Sequence, residues 1–130
     1  MEEAEILLRN AMEHHGAAVY RLALCRMQSV QDAEDVYQDV FLRLLGQEAS
    51  AWDGEHLRAW LLRVTVNKCK NLYRAKRRTE VPLTEAIPAP EAAEPSVLDE
   101  VRALPAPYRS TLYLHYFEGY TAAEIGRILG

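Results

Sequence analysis

The sequence predicts an all-α protein, on three observations. No stretch alternates apolar and polar residues with period two, as a half-buried strand would. Apolar residues recur instead at three- and four-residue spacing over most of the chain. Glycine and proline, which interrupt helices, gather in a few places and leave long stretches free between them. The length of 130 residues suits one domain or two very small ones, and 49% apolar with 26% charged residues is an ordinary globular composition. Cys25 and Cys69 stand far apart with no second pair, so neither a disulfide framework nor a metal signature is present. They read as small apolar side chains in a reducing compartment. The opening MEEAEILLRN lacks the basic-then-apolar succession of a signal peptide, and no apolar run approaches a membrane span. A soluble, cytoplasmic protein without a membrane partner is expected.

Glu2 to Met27 reads as one long helix, or two short ones meeting near Gly16, with Ile6, Leu7, Val19, Leu22 and Ala23 as its apolar stripe. His14 and His15 point about 100° apart on a helix, which suits them poorly to chelating one metal. Ser29 to Leu45 is the clearest helix. Ser29 can cap it, Glu34 and Asp35 lie in the early turns where negative charge suits the dipole, and Gly46 ends it. Val30, Ala33, Tyr37, Val40, Phe41 and Leu44 form its core stripe. The opposite face carries Asp32, Asp35, Gln38 and Asp39 with Leu42 among them. Such a face fits either a protein partner with basic side chains or a solvated acidic surface with one stray leucine. Gly46 to Glu55 reads as a loop around Trp52, an indole that either packs back on the core or stacks on a base.

His56 to Arg78 is a basic island in an acidic chain. The formal net charge of the whole is -4, but these residues include Arg58, Arg63, Lys68, Lys70, Arg74, Lys76, Arg77 and Arg78 and no carboxylate. Binding follows the local field rather than the total. Arg63, Asn67, Lys70, Asn71, Arg74 and Arg78 share one helix face. Arg and Lys neutralise phosphates, and Asn offers a paired donor and acceptor to a base edge, so this face suits nucleic acid. The alternative is a solvated cationic face. Leu57, Leu61, Val64 and Leu72 line one flank, and Leu62, Val66, Cys69 and Tyr73 the other. Two apolar flanks imply a helix packed between neighbours that presents its basic ridge alone. Trp60, at the edge of the ridge, is expected in the core.

Residues 79–95 read as a Pro- and Glu-rich linker, acidic enough to screen the cluster Arg74 to Arg78. Three short helices should follow. Ser96 is placed to cap the first. Pro107 suits the first turn of the second, Tyr108 to Glu118, which Gly119 closes. Thr121 and Glu124 form a capping box for the third, whose core face is Ile125, Ile128 and Leu129, with Gly126 leaving room for a helix to cross. This reads as the first half of a helix-turn-helix whose recognition helix is not in the sequence. The expected organisation is a helical bundle over residues 1–78, a linker over 79–95 and a partial helix-turn-helix unit over 96–130.

Three stretches together, DAEDVYQDVFLRLL, AWLLRVTVNKCKNLYRAKRR and ALPAPYRSTLYLHYFEGYTAAEIGRILG, resemble the bacterial sigma-70 family of RNA polymerase sigma factors, within it the extracytoplasmic-function (ECF) group. The resemblance covers nearly the whole chain and implies a region-2-like bundle and a region-4-like unit truncated within its helix-turn-helix. It implies that Asp35, Gln38, Asp39 and Leu42, with Asp32 beside them, dock on the beta-prime clamp helices of core RNA polymerase. It implies that Arg63, Asn67, Lys70, Asn71, Arg74, Arg77 and Arg78 face the single-stranded minus-ten promoter region, with Trp52 and its loop holding a flipped base. An anti-sigma factor is a further partner it allows. It implies no cofactor, metal or catalytic residue. The residues themselves offer no Ser/His/Asp arrangement, no phosphate-cradling glycine loop and no ligand cluster, and Glu118 near His115 reads as helix surface. The competing reading is a DNA-binding regulator that never meets polymerase, which would use the basic helix but need no acidic face.

Overall fold

The structure, a computed structural model, describes residues 2–78, 100 and 102–129. The linker 79–95, the cap at Ser96 and the side chains of Arg77 and Arg78 lie outside the described residues. Five helices are defined among the described residues, with no strand: α1 (Glu2–Met27), α2 (Val30–Leu45), α3 (Gly54–Arg78), α4 (Ala106–Tyr116) and α5 (Ala122–Leu129). The protein is all-α.

Helices α1, α2 and α3 pack against one another as a bundle. Of the two readings left open for the first helix, the continuous one holds. Gly16 sits inside α1 because α2 passes close there: a Cβ at that position would stand 3.0 Å from the Tyr37 hydroxyl. Val19, Leu22 and Ala23 are fully buried, whereas Ile6, expected on the same stripe, is 59% exposed. The chain leaves α1 through Gln28, whose φ of 54° is left-handed and whose N–H bonds the Leu24 carbonyl at 2.8 Å. A left-handed residue closing a helix this way satisfies a free carbonyl at a local cost for any side chain with a Cβ.

Ser29 caps α2 as expected, its hydroxyl accepting from the Asp32 N–H at 3.3 Å. Two positions depart from the expected stripe. Val36 is fully buried and Val30 is half exposed, because the helix turns its core face slightly from the direction the spacing suggested. Gly46 ends α2 in right-handed geometry with its N–H on the Arg43 carbonyl, so its glycine freedom is not used.

The second half of the chain packs onto the first. Helix α4 lies on α1 and α5 on α3. Gly119, with φ of +75°, reverses the chain after α4 so that the Tyr120 N–H reaches the Leu114 carbonyl at 3.1 Å. The predicted capping box then starts α5: the Thr121 N–H donates to Glu124 Oε1 at 3.0 Å and the Glu124 N–H to Thr121 Oγ1 at 3.3 Å. Two apolar clusters result. One joins α1, α2 and α3 around Val19, Val36, Val40, Phe41, Leu44, Leu61 and Cys69. The other joins Ala18, Leu22, Leu62 and Val66 of the bundle to Tyr113, Leu114, Tyr120, Ile125 and Ile128. The core face of α5 is therefore covered from within the chain. A Cβ on Gly126 would meet nothing within 4 Å, so the close crossing expected there is not made among the described residues. Among them, no helix is long and apolar enough to cross a membrane.

Candidate nucleic-acid interface

Helix α3 begins earlier than its sequence suggested. Asp53 caps it, its carboxylate accepting from the His56 N–H at 2.7 Å and its carbonyl from the Leu57 N–H at 3.0 Å. Gly54 and Glu55, read as loop, are its first turn. The start sits at the end of a short loop whose Ala49 is buried at 2% exposure. That anchor fixes where α3 leaves the bundle and so how its ridge is presented.

Both flanks of α3 are covered. Leu61 and Cys69 are buried against α1 and α2 with Leu57, Val64 and Leu72 packed beside them, while Leu62 and Val66 are buried against α4 and α5. Cys69, expected on the second flank, belongs to the first, and Tyr73 is 44% exposed. Between the flanks Arg63, Asn67, Asn71 and Arg74 are exposed in one row. Lys70 is half-buried, its ammonium donating to the Leu129 carbonyl at 3.4 Å. The arrangement is a cationic and amide-bearing ridge, with Arg63, Asn67, Asn71 and Arg74 exposed on a helix that is held on both sides.

Trp52 is half-buried, its ring stacked on His56 at 4.4 Å and tilted against Trp60 at 5.6 Å. It packs on the bundle core, as does Trp60, and one face of the indole is already taken. A base reaching that face would have to replace the exposed His56 ring.

On α2, Asp35, Gln38 and Leu42 are exposed, Leu42 at 64%. Asp32 is a correction: it is 6% exposed, turned into the molecule under its own cap. Asp39 is half-buried and already paired, with Arg43 at 3.1 Å and with Lys68 of α3 at 3.4 Å. The acidic face thus reaches the edge of the basic helix. Glu118 corrects another expectation. Its side chain is 9% exposed rather than on the surface, bound by the Arg58 guanidinium and by the Tyr113 hydroxyl at 2.7 Å.

Residues 11–79 match the family description Sigma-70 region 2, a span that takes in most of α1 and all of α2 and α3. The chain belongs to the sigma-70 family. Three of the relatives it resembles are named as members of the ECF group. The ECF RNA polymerase sigma factor SigL of Mycobacterium tuberculosis is 29% identical over 95% of this chain and 77% of its own length. SigM of the same species is 28% identical over 89% of this chain and 62% of its own length. BldN of Streptomyces coelicolor is 26% identical over 91% and 50% respectively. The sigma-70 chain thus spans between half and about three quarters of the relatives it matches. Sequence reasoning missed one set of residues in it: Arg58, Arg109, Glu118 and Tyr120, which tie the two halves together. The only signal was an Arg or Glu at positions where a helix surface would serve, and a tertiary contact cannot be read from that.

Proposed function

We propose that this sigma-70 family chain docks on core RNA polymerase through the exposed face of α2 and holds the displaced promoter strand on the ridge of α3, so helping to open DNA at transcription initiation. The observation that carries the reading is the row Arg63, Asn67, Asn71 and Arg74, exposed on a helix whose two flanks are buried. A helix whose backbone is already fixed can neutralise phosphates and bond unstacked base edges through exposed Arg and Asn side chains, so that ordering on binding falls on the side chains alone. An extruded base would stack on Trp52 in place of the exposed His56 ring that covers it. The name borne by the relatives, RNA polymerase sigma factor, supports the polymerase half of the reading.

The test is a titration against bacterial core polymerase. Leu42→Arg and Asp35→Arg are the cleaner probes, because Asp39 also holds Lys68 and its reversal would disturb α3. Both should weaken binding at least about tenfold, or roughly 1.4 kcal/mol, with the fold intact. Unchanged binding would remove α2 as the docking face. No binding by the native chain would favour the plain DNA-binding regulator. On promoter DNA with the polymerase, Asn67→Ala should lower the yield of open complex.

A further inference from the structure

We propose that the face of Trp52 beneath His56 is the seat of one extruded base, a purine, and that the His56 ring is its place-holder, giving way when the base arrives. The inference rests on the α3 reading above and extends it to a side chain beyond the ridge. The two stacked rings differ in how they are held. Trp52 is fixed: its N–H bonds the carbonyl of the buried Ala49 at 3.0 Å, and its indole packs on the bundle core beside Trp60, with ring centroids 5.6 Å apart. His56 is held through its backbone, whose N–H bonds the Asp53 carboxylate at 2.7 Å. Its imidazole is exposed and lies flat on the indole, 4.4 Å between centroids and 7° between planes. Rotation about the Cα–Cβ bond takes the imidazole away without disturbing the cap of α3.

The helix phase ties this stack to the ridge. His56 stands seven residues before Arg63 in α3, a spacing that returns to the same helix face after two turns, about 10 Å along the axis. A strand lying along Arg74, Asn71, Asn67 and Arg63 therefore runs on to His56. Local charge selects which part of the strand meets the indole. Asp53 and Glu55 precede His56, and both are exposed. Two carboxylates repel a phosphate, whereas an uncharged base can stack on an aromatic face. Ring size selects the base. The imidazole has one ring and the indole two, so His56 covers part of the indole, and Trp52 remains half-buried beneath it. A purine has two fused rings and overlaps more of the indole than the imidazole does, while a pyrimidine, with one ring, gains less. Stacking grows with the overlapped area, so a purine displaces His56 most completely.

Proton NMR of the full chain reads His56 directly, because the indole ring current shifts the stacked imidazole protons upfield. Loss of the signal in His56→Ala assigns it. The probes are a short oligodeoxythymidylate and the same strand with one central deoxyadenosine, and fluorescence anisotropy of the labelled strands reads affinity. The deoxyadenosine strand should return the His56 protons to the position of an unstacked histidine, and the all-thymidine strand should move them less. His56→Ala keeps the backbone N–H that the cap uses. It should bind the deoxyadenosine strand more tightly, by about tenfold if the imidazole covers Trp52 about nine-tenths of the time. Trp52→Leu, which keeps an apolar side chain on the core, should abolish that gain in the double variant. A strand that binds while the His56 protons stay in place would overturn the place-holder, as would His56→Ala that binds no more tightly. Equal displacement by the two strands would overturn the purine assignment. Arg74→Ala separates this inference from the ridge. Weaker binding by Arg74→Ala, with His56 unmoved in the native complex, would leave the α3 reading standing and remove the place-holder. Failure of native and variant chains alike to bind would overturn both.

Discussion

Gly126 sits in the middle of α5 where a methyl group would enter open space. Glycine there costs helix stability and makes no close contact among the described residues. Gly126→Ala should therefore raise the stability of α5 by about 0.5–1 kcal/mol, read as slower amide exchange in residues 122–129. A loss of stability would mean that something packs against that position. Cys69 makes a different prediction. Burial pushes its thiol up to about 12 from an ordinary 9.0. The unfolded thiol loses its proton first, so this contribution to stability is complete below pH about 9 and is lost as the pH rises towards 12. In that window it should amount to about 1 kcal/mol per pH unit. Urea titrations at stepped alkaline pH should show a shallower decline for Cys69→Ala than for the native chain. Cys25 is raised by burial too, which leaves part of the decline in the variant. At this scale the sequence spoke clearly where a residue has one use. Ser29, Thr121 and Glu124 occupy the caps that their chemistry assigned. It was silent on Gly16, where a suspected break is a close approach by Tyr37.

Among the elements, α3 carries the functional expectation. Arg63, Lys70 and Arg74 are the ridge cations whose side chains are described. If about three phosphates are neutralised, the logarithm of affinity for single-stranded DNA should fall against the logarithm of salt with a slope of about -2. Arg74→Ala should reduce that slope by about 0.7, while Asn67→Ala should weaken binding and leave the slope unchanged. Fluorescence titration at several salt concentrations reads both, and a flat response would remove the ridge as the contact. Unchanged circular dichroism is expected, because both side chains are exposed. The ridge was legible because exposure and charge coincide on one helical face. The acidic face of α2 was legible only in part. Periodicity placed Asp32 with Asp35 and Asp39, but the first is buried and the last is paired across to Lys68. A helical wheel gives angles about one axis and says nothing of which neighbour stands at each angle.

Across the whole molecule the two apolar clusters set how it should come apart. The bundle cluster holds α1, α2 and α3 without help from α4 or α5. The second cluster depends on Leu114, which is fully buried against the bundle. Leu114→Ala should cost about 2–5 kcal/mol at that seam. It should lower helicity by circular dichroism while Trp52 and Trp60, both packed on the bundle cluster, keep their urea midpoint. Tryptophan emission and helicity collapsing together would show one cooperative unit instead.

The sequence by itself determined the helical class, the caps that start α2 and α5, the two apolar flanks of α3 and the charge of its ridge. Those properties are local: hydrophobic spacing, capping hydroxyls and runs of like charge act within a few residues of one another. Only the tertiary structure decided what fills the second flank of α3. It is the chain's own C-terminal helices, with Arg109 on the end of α1 and Glu118 under Arg58. These partners lie 84 and 60 residues apart in the sequence. An apolar flank records that it must be covered, because burial is non-directional, but it does not record by what.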